Sequence, residues 1–189
     1  MDAARWVVPE QIAEPAELGA GKVLKLLFHY LPLRAMFWFR LGSWCKQRGI
    51  PFIAGPMQRF LMFRFGLELP VGGDIGGGLY IAHPVGCALF PRKMGENCSI
   101  IANVTVGMRN TWSFPEIGDR AFIGAGARVL GDVRLGNDAI IGANAVVIKD
   151  VPDGGTAVGI PARVIKISEK YQPGAAGNRS AAAVAEVTS

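Results

Sequence analysis

The clearest pattern in the chain is an apolar residue at every sixth position of its second half. Counting back from Val147 in sixes gives Ile141, Leu135, Val129, Ile123 and Ile117. An earlier set keeps the same spacing, and another continues it after a one-residue slip: Leu69, Ile75, Ile81 and Cys87, then Met94, Ile100 and Val106. Between Val106 and Ile117 the interval is longer, so about five residues should form a loop there.

A period of six fits neither an α-helix nor an ordinary alternating strand. It is typical of a β-solenoid, in which three short strands form one triangular coil. Each coil should take about 18 residues and rise by about 4.8 Å, the spacing of neighbouring strands. Gly, Asn and Asp in IGDRAF, LGNDAI and IGANAV suit coil corners, where the backbone needs positive φ. An ordinary sandwich of short strands, the alternative, seldom keeps a fixed six-residue phase.

The first third of the chain has helical spacing instead. Apolar residues between Val23 and Gln47 recur at helical intervals, and Pro32 should kink this stretch or break it into two helices. A third helix is predicted in PMQRFLMFRFG, ending at Gly66. The predicted organisation is an arm at 1–21, a helical segment at 22–66, the solenoid at 67–168 with its loop at 107–116, and a disordered tail at 169–189.

Basic charge and aromatic residues are concentrated in the helical segment. Residues 22–66 contain eight Lys or Arg and no Asp or Glu, whereas residues 67–189 contain eleven of each sign. Charged side chains interrupt any window long enough to span a bilayer, so no membrane span is expected. Two compatible roles are expected for these helices. They could rest on anionic lipid, and they could pack on the solenoid base and on each other in a trimer. No nucleic-acid-binding motif is present, so no nucleic-acid partner is expected.

Cysteine usage and the N-terminal sequence point to the cytoplasm. Cys45, Cys87 and Cys98 share no metal-ligand spacing, and an odd count without a secretory leader argues against a disulfide framework. The opening MDAARWVVPEQIAEPAELG is acidic and contains proline where a signal peptide needs a basic start and an apolar run. We expect a cytoplasmic protein, peripheral at the inner face of the membrane where the helices meet lipid, with no metal.

Two segments carry a family resemblance, which covers about residues 34–167. The run IGDRAFIGAGARVLGDVRLGNDAIIGANAVVIKDVPDGGTAVGIPARVIK resembles the left-handed parallel β-helix acyltransferases of the hexapeptide-repeat class. Within that class, GLELPVGGDIGGGLYIAHPVG is similar to serine O-acetyltransferases and to the O-acetyltransferases of exopolysaccharide clusters, such as those of colanic acid biosynthesis. The resemblance implies a left-handed parallel β-helix with a short helical N-terminal segment, a homotrimer, and acetyl-CoA as co-substrate.

The resemblance also identifies a catalytic pair. His83 matches the family's catalytic histidine, and an imidazole is suited to take the proton from an attacking hydroxyl. Glu68 matches the family's aspartate, which orients the ring. The alternative for His83 is a structural histidine that caps a coil corner, and His29, on an apolar helix, is expected to be structural. Two histidines cannot supply the three zinc ligands of the carbonic anhydrases built on this fold.

The donor site follows from the same motifs. The family binds acetyl-CoA in a groove between neighbouring subunits, where small residues let the pantetheine arm approach the backbone. The resemblance implies backbone contacts at Ala125 and Ala143, with Ile148 and Lys149 lining the groove. Arg163 and Lys166 are candidates for the phosphate end. Each of these residues has packing or solvent exposure as its alternative role.

The acceptor is predicted from the loop. Serine acetyltransferases carry an Arg-His-Pro motif after the loop, and this chain has Ser113, Phe114 and Pro115 instead. Because that motif and the family's large helical domain are missing, we expect a sugar or lipid-linked glycan acceptor in exopolysaccharide synthesis. Its contacts would come from Arg109, Asn110 and Trp112, although a loop Trp is as often a trimer contact. The alternatives are a serine O-acetyltransferase and a non-catalytic trimeric scaffold.

Overall fold

The computed structural model describes residues 2–3 and 19–172 of the chain. Every apolar residue of the six-residue pattern points into the interior of a β-solenoid, and all are at most 8% exposed. Burying one such side chain stabilises the fold by about 1.5–3 kcal/mol, so a stack of them forms the core of the molecule. The predicted solenoid is confirmed.

The strands lie in three sheets, one along each side of the triangular coil, and nearly all pair in parallel. Sheet A contains β1 (Leu67–Glu68), β3 (Cys87–Leu89), β6 (Thr105–Gly107), β9 (Arg128–Leu130) and β12 (Val146–Val147). Sheet B contains β4 (Lys93–Met94), β7 (Glu116–Ile117) and β10 (Arg134–Leu135). Sheet C contains β2 (Tyr80–His83), β5 (Ser99–Ala102), β8 (Phe122–Ile123), β11 (Ile140–Ile141), β13 (Gly155–Gly159) and β14 (Ala162–Ile167).

The pairing register gives the length of each coil. Arg128 pairs with Val146 and Phe122 with Ile140, and each pair is 18 residues apart. Thr105 pairs with Arg128, 23 residues later, because the loop lies between them. The five additional residues match the loop length predicted from the interrupted repeat.

Two corners of the coil repeat a left-handed backbone conformation. Asn103 and Asn144 have φ of 51° and 57° at the corner between sheets C and A. Asn97, Arg120 and Asp138 have φ of 55° to 57° at the corner between sheets B and C. Asn and Asp tolerate this conformation better than most residues, so the polar residues after each apolar position set the corners.

Three helices precede the solenoid: α1 (Ala20–His29), α2 (Leu31–Gln47) and α3 (Ala54–Phe65). Pro32 lies in the first turn of α2, where its missing N–H removes no helical hydrogen bond, so the chain breaks there into two helices. Gly66 ends α3 with φ of 64°, a conformation that a side chain disfavours.

The helices close the N-terminal end of the solenoid through side chains of α2. Arg40 donates hydrogen bonds to the carbonyl oxygen of Ile75 at 2.7 Å, and Lys46 donates to the carbonyl of Val71 at 3.0 Å. Arg40 also pairs with Asp2 at 2.9 Å, so the start of the arm predicted at 1–21 is bound to this helix. The rest of that arm, residues 4–18, lies outside the described residues.

The C-terminal end of the solenoid is an antiparallel hairpin of β13 and β14. After it, Glu169–Tyr171 forms a 3₁₀ turn, although the tail was predicted to begin at residue 169. The remainder of that predicted tail, residues 173–189, lies outside the described residues. Among the described helices, none has the length and apolar character needed to cross a bilayer.

Candidate active site

His83 lies at the corner between sheets C and A, at the end of β2. Its side chain is exposed to solvent, and its own carbonyl accepts a contact from the Cys87 thiol at 3.4 Å. The inward positions on either side are Ile81 and Cys87, both 1% exposed, so the hexapeptide register turns the imidazole outward. The ring does not face the interior of the solenoid, and it is available to a ligand on this edge.

A column of small residues continues from His83 along the same edge. His83 pairs with Ala102 in the next coil. The N–H of Gly126 donates to the carbonyl of Ala102 and that of Asn144 to the carbonyl of Ala125, each at 2.8 Å. These bonds stack the small-residue column, which we define as Ala102, Ala125, Ala143 and Gly159.

The small-residue column fits an extended ligand. Because its side chains are methyl groups or hydrogen, an extended chain could approach the backbone along the whole edge. Ala102 and Ala125 are half-buried, whereas Ala143 and Gly159 are exposed. The arrangement leads from an imidazole along an open edge, which suits a donor whose reactive group lies at one end of a flexible arm.

Glu68 lies on the outer face of sheet A, next to α3. It is exposed, pairs with Ala88, and lines a cavity of about 260 Å³ together with Gln58 and Arg59. Within the described residues no hydrogen bond joins Glu68 to His83. The glutamate is on the sheet that follows the His83 corner, so the expected pair shares one edge of the chain without a hydrogen bond between the two side chains.

The residues expected to line the donor groove, Ile148 and Lys149, and those expected at its phosphate end, Arg163 and Lys166, occupy more than one place. Lys149 and Arg163 line one cavity of about 200 Å³ beneath the terminal hairpin. Lys166 lines a different cavity of about 810 Å³ on the outer face of sheet C. Ile148 is half-buried at the end of β12. The structure therefore brings Lys149 and Arg163 together and separates Lys166 from them.

The loop leaves the opposite edge of sheet A from His83, because it connects β6 in sheet A to β7 in sheet B. Arg109, Asn110 and Trp112 are all exposed, and Trp112 is 83% exposed. The Trp112 ring meets the Phe114 ring edge-on at 5.5 Å. The expected acceptor residues thus lie together but away from His83 in one chain.

Sequence reasoning missed a cation beside the small-residue column. Arg128 reaches back over the corner, and its guanidinium donates to the carbonyls of Asn103 at 2.5 Å and Gly126 at 3.1 Å. The six-residue register could have placed it, since Arg128 follows the inward Ala127 and must face outward on sheet A.

A polar network on sheet C was also missed, because its last members fall in the segment predicted to be a tail. Asp138 accepts two hydrogen bonds from Arg120, at 2.8 and 2.9 Å, one from Lys170 at 3.2 Å, and a further one from the Tyr171 hydroxyl. The bonds from Arg120 hold the pKa of Asp138 well below its usual range, and the same pairing raises the pKa of Arg120. The network fixes residues 170–171 to the solenoid.

Neither the buried cysteines nor any cluster of metal-binding side chains adds site chemistry among the described residues. Cys87 and Cys98 are buried thiols, and burial raises the pKa of Cys87, which disfavours a reactive thiolate. Within the described part of the chain, no group of three or more His, Cys, Asp or Glu side chains is placed to hold a metal ion.

Comparison with known proteins finds the same repeat and the same fold. Residues 114–149 match the family model described as bacterial transferase hexapeptide, six repeats. A serine acetyltransferase of Mycobacterium tuberculosis is 36% identical over 161 residues, which are 83% of this chain and 70% of that protein. Soybean serine acetyltransferase complexed with serine superposes with a TM-score of 0.72 at 28% identity, over 86% of this chain and 67% of that one.

A serine acetyltransferase structure in complex with CoA superposes with a TM-score of 0.65 at 27% identity. The superposed region is 86% of this chain and 65% of that chain. The sequence-based predictions of a hexapeptide-repeat fold, of an acyltransferase and of acetyl-CoA as co-substrate are confirmed by these relatives.

The predicted acceptor is wrong. The relatives at 36% identity are serine acetyltransferases, so the chain is similar to the alternative named from its sequence and not to an exopolysaccharide O-acetyltransferase. The reason is one of scale: two changed loop positions and the missing large helical domain argued against serine, whereas the similarity to serine acetyltransferases extends over most of the chain.

Proposed function

We propose a serine O-acetyltransferase function for this chain, which belongs to the serine acetyltransferase family of hexapeptide-repeat transferases. The observation that carries the proposal is the position of His83, exposed at one end of the small-residue column. Acyl transfer requires a general base and an open groove for a thioester donor, and the proposal assigns both to this edge.

In the proposed reaction, His83 takes the proton from the serine hydroxyl as its oxygen attacks the thioester carbonyl carbon. The tetrahedral intermediate collapses by breaking the carbon–sulfur bond, and His83 returns the proton to the leaving sulfur. The products are O-acetylserine and CoA, so atoms and charge balance. Glu68 orients the ring and stabilises its protonated form, which requires its side chain to turn from α3 toward the corner.

Acetyl-CoA binds along the small-residue column in this proposal. Ala125 and Ala143 provide backbone contacts to the pantetheine arm, and Ile148 lines the groove. Lys149 and Arg163, which share one cavity, bind the phosphates. We also assign Arg128 to this edge, where its guanidinium adds positive charge next to the donor. Lys166 is the weakest member of the set, because it faces a different cavity.

Serine binding requires a cation for its carboxylate and acceptors for its ammonium group. Arg109 provides the cation in this proposal, Asn110 provides a carbonyl acceptor, and Trp112 shields the site from water. These three residues replace the Arg-His-Pro grip that the loop lacks.

The loop and His83 lie at opposite edges of sheet A, so a complete site needs a second subunit to bring them together. The proposal therefore includes a homotrimer, in which the loop of one chain meets the His83 edge of its neighbour. A cytoplasmic location stays a prediction. Peripheral membrane contact is separate from the reaction, because it depends on the helices and not on this site.

The test is release of free CoA thiol from acetyl-CoA with serine, compared with threonine, homoserine and sugars. We expect serine to be turned over, and His83→Ala to lower kcat about 10²- to 10⁴-fold while binding of CoA by calorimetry is retained. His29→Ala is the matched control, because it removes the other histidine of the chain. The His29 ring bonds within its own helix, to the Lys25 carbonyl at 2.9 Å.

Two results would contradict the proposal. Turnover of another hydroxyl compound, with none of serine, would remove the acceptor but keep the chemistry. Undiminished turnover by His83→Ala would remove His83 as the general base.

A further inference from the structure

Helix α1 presents an apolar surface that no described residue covers. None of its residues is buried, and Leu24 and Phe28 are 70% and 82% exposed. These two side chains are one turn apart, so they form a ridge, and Lys22 and Lys25 lie beside it. Soluble helices normally bury such a ridge against a core.

Helix α2 carries a second uncovered ridge. Phe37, Leu41 and Trp44 follow one another at intervals of four and three residues, and each is between 36% and 49% exposed. Arg34 and Arg48 stand at the two ends of this ridge, and the Arg48 guanidinium lies 5.0 Å from the centre of the Trp44 ring. The ridge is thus apolar along its length and basic at its ends.

The α2 ridge continues into an apolar groove between α2 and α3. The Trp38 ring lies 5.5 Å from both the Phe37 ring and the Phe60 ring. Phe52, at the start of the groove, is 91% exposed. The groove has a volume of about 410 Å³ and is lined by Trp38, Phe52, Ile53, Pro56, Met57 and Phe60.

The cations of this segment divide into two groups. Arg40 and Lys46 are held against the base of the solenoid by the bonds described above. The other six form no ion pair with any described residue: Lys22, Lys25, Arg34, Arg48, Arg59 and Arg64. Residues 22–66 contain no Asp or Glu, so no acidic side chain of this segment itself offsets its positive charge.

We infer that the helical layer, residues 20–65, binds peripherally to the surface of an anionic phospholipid membrane. Exposed aliphatic and aromatic side chains enter the boundary between headgroups and acyl chains, while the flanking Lys and Arg side chains contact lipid phosphates. A second copy of the chain is the less favourable occupant, because its helical layer would bring the same positive charge to the contact.

The length of helix α1 suits binding in the plane of the membrane. Helix α1 has 10 residues and is therefore about 15 Å long, half the thickness of the hydrocarbon core of a bilayer. Peripheral attachment agrees with the absence of a membrane-crossing helix among the described residues.

The test is co-sedimentation of the full chain with vesicles of phosphatidylcholine, with and without about 30% phosphatidylglycerol. We expect binding to the anionic vesicles only, and a loss of at least about tenfold in partition coefficient as salt rises from about 0.1 M to about 0.5 M. A blue shift of tryptophan emission should accompany binding, since Trp38 and Trp44 lie in the layer.

Two double variants separate the apolar and charged contributions. Leu24→Ser with Phe28→Ser should weaken partitioning by at least about tenfold. Lys22→Gln with Lys25→Gln should weaken it by roughly 30-fold at low salt. The matched control, Lys93→Gln with Arg134→Gln, removes two exposed cations from sheet B and should leave partitioning within about twofold.

Three outcomes would overturn the inference. The first is equal binding to vesicles with and without phosphatidylglycerol. The second is an equal loss in the control variant, which would mean that only overall charge matters. The third is an absence of vesicle binding, combined with a smaller particle in light scattering for the variant Leu24→Ser with Phe28→Ser. That result would assign the surface to a second copy of the chain. Thiol release with serine, measured in parallel without vesicles, tests the proposed function separately, because none of these three outcomes affects it.

Discussion

At the residue scale, His83 and Glu68, the two residues of the proposed catalytic pair, differ in what surrounds each side chain. His83 is fixed outward by the buried residues on either side of it, so its position follows from the repeat alone. Glu68 stands on an outer strand position next to α3, where Arg59 and Gln58 line the same cavity. The role proposed for Glu68 therefore requires a side-chain movement that no repeat pattern encodes.

Replacing Glu68 with Gln tests that role. The substitution keeps the shape of the side chain but removes the charge that would stabilise a protonated imidazole, so we expect kcat to fall roughly 10- to 100-fold. The KM for acetyl-CoA should stay within about twofold, since Glu68 is not part of the small-residue column. Steady-state kinetics across pH would check both. An unchanged kcat would mean that His83 works without this partner.

Gly118 shows how closely successive coils approach. A Cβ at this position would lie 2.7 Å from the backbone nitrogen of Asn137 and 2.8 Å from its Oδ1. Gly118→Ala should therefore lower the free energy of unfolding by about 1–3 kcal/mol. Gly107→Ala is the matched control, because no atom lies within 4 Å of its added Cβ.

Urea unfolding of the two glycine variants measures the difference. The control should lie within about 1 kcal/mol of the parent protein, on the stabilising side if anything, since alanine restricts the unfolded chain. Equal effects at both positions would show that the coils have more space between them than their backbone positions indicate.

At the element scale, the coils of the solenoid were predictable from the sequence, whereas the attachment of α2 at one end and the hairpin at the other were not. Each strand needs one inward apolar residue, so the six-residue spacing gives the strands, the coil length and the extra loop. The attachment of α2 depends on hydrogen bonds from Arg40 and Lys46 to solenoid carbonyls, and these have no periodic signal. The hairpin of β13 and β14 forms where no further coil follows, and the repeat ends before it.

The polar network at this end predicts a pH dependence of stability. The pKa of Asp138 in the folded chain is below its ordinary value of about 4, so ionised Asp138 stabilises the fold above that pH. The contribution declines as pH falls toward the folded-state pKa. Because the network is partly exposed, we expect Asp138→Asn to lower the free energy of unfolding by only about 1 kcal/mol at pH 7.

Urea unfolding at pH 7, 5 and 3 is the measurement, and the difference between Asp138→Asn and the parent should narrow at the lowest pH. Tyr171→Phe serves as the comparison, since it removes one bond to Asp138 and leaves both bonds from Arg120. A difference that is constant across pH would exclude ionisation of Asp138 as the source of the stability.

At the scale of the whole molecule, the fold and the donor chemistry were predictable, whereas the acceptor was not. The fold depends on many repeated residues, and the donor groove follows from the backbone of that fold. The expected acceptor was judged from a few loop residues, and Ser113 and Phe114, which stand where the motif has Arg and His, were given too much weight. In the proposed trimer the loop reaches the site of a neighbouring subunit, and a single sequence does not display such an arrangement.

Assembly is the basis of the last prediction. His83 ends a strand of sheet C, whereas Arg109 lies beside Gly131 at the far edge of sheet A. If each site combines His83 of one subunit with the loop of a neighbour, two inactive variants should complement each other when coexpressed. The pair is His83→Ala and a loop variant, Arg109→Ala with Trp112→Ala.

In a random mixture of equal amounts, half of the subunits keep His83 and half of their neighbours keep an intact loop, so about a quarter of wild-type activity should return. Coexpression of His83→Ala with Glu68→Gln is the control. Both of these residues belong to the same edge of one chain, so recombining subunits creates no intact edge beyond the weak activity of the Glu68→Gln chain itself. Thiol release by the purified mixed oligomers measures both pairs. Failure of the first pair to exceed its parents would place the loop and His83 of each site in one chain.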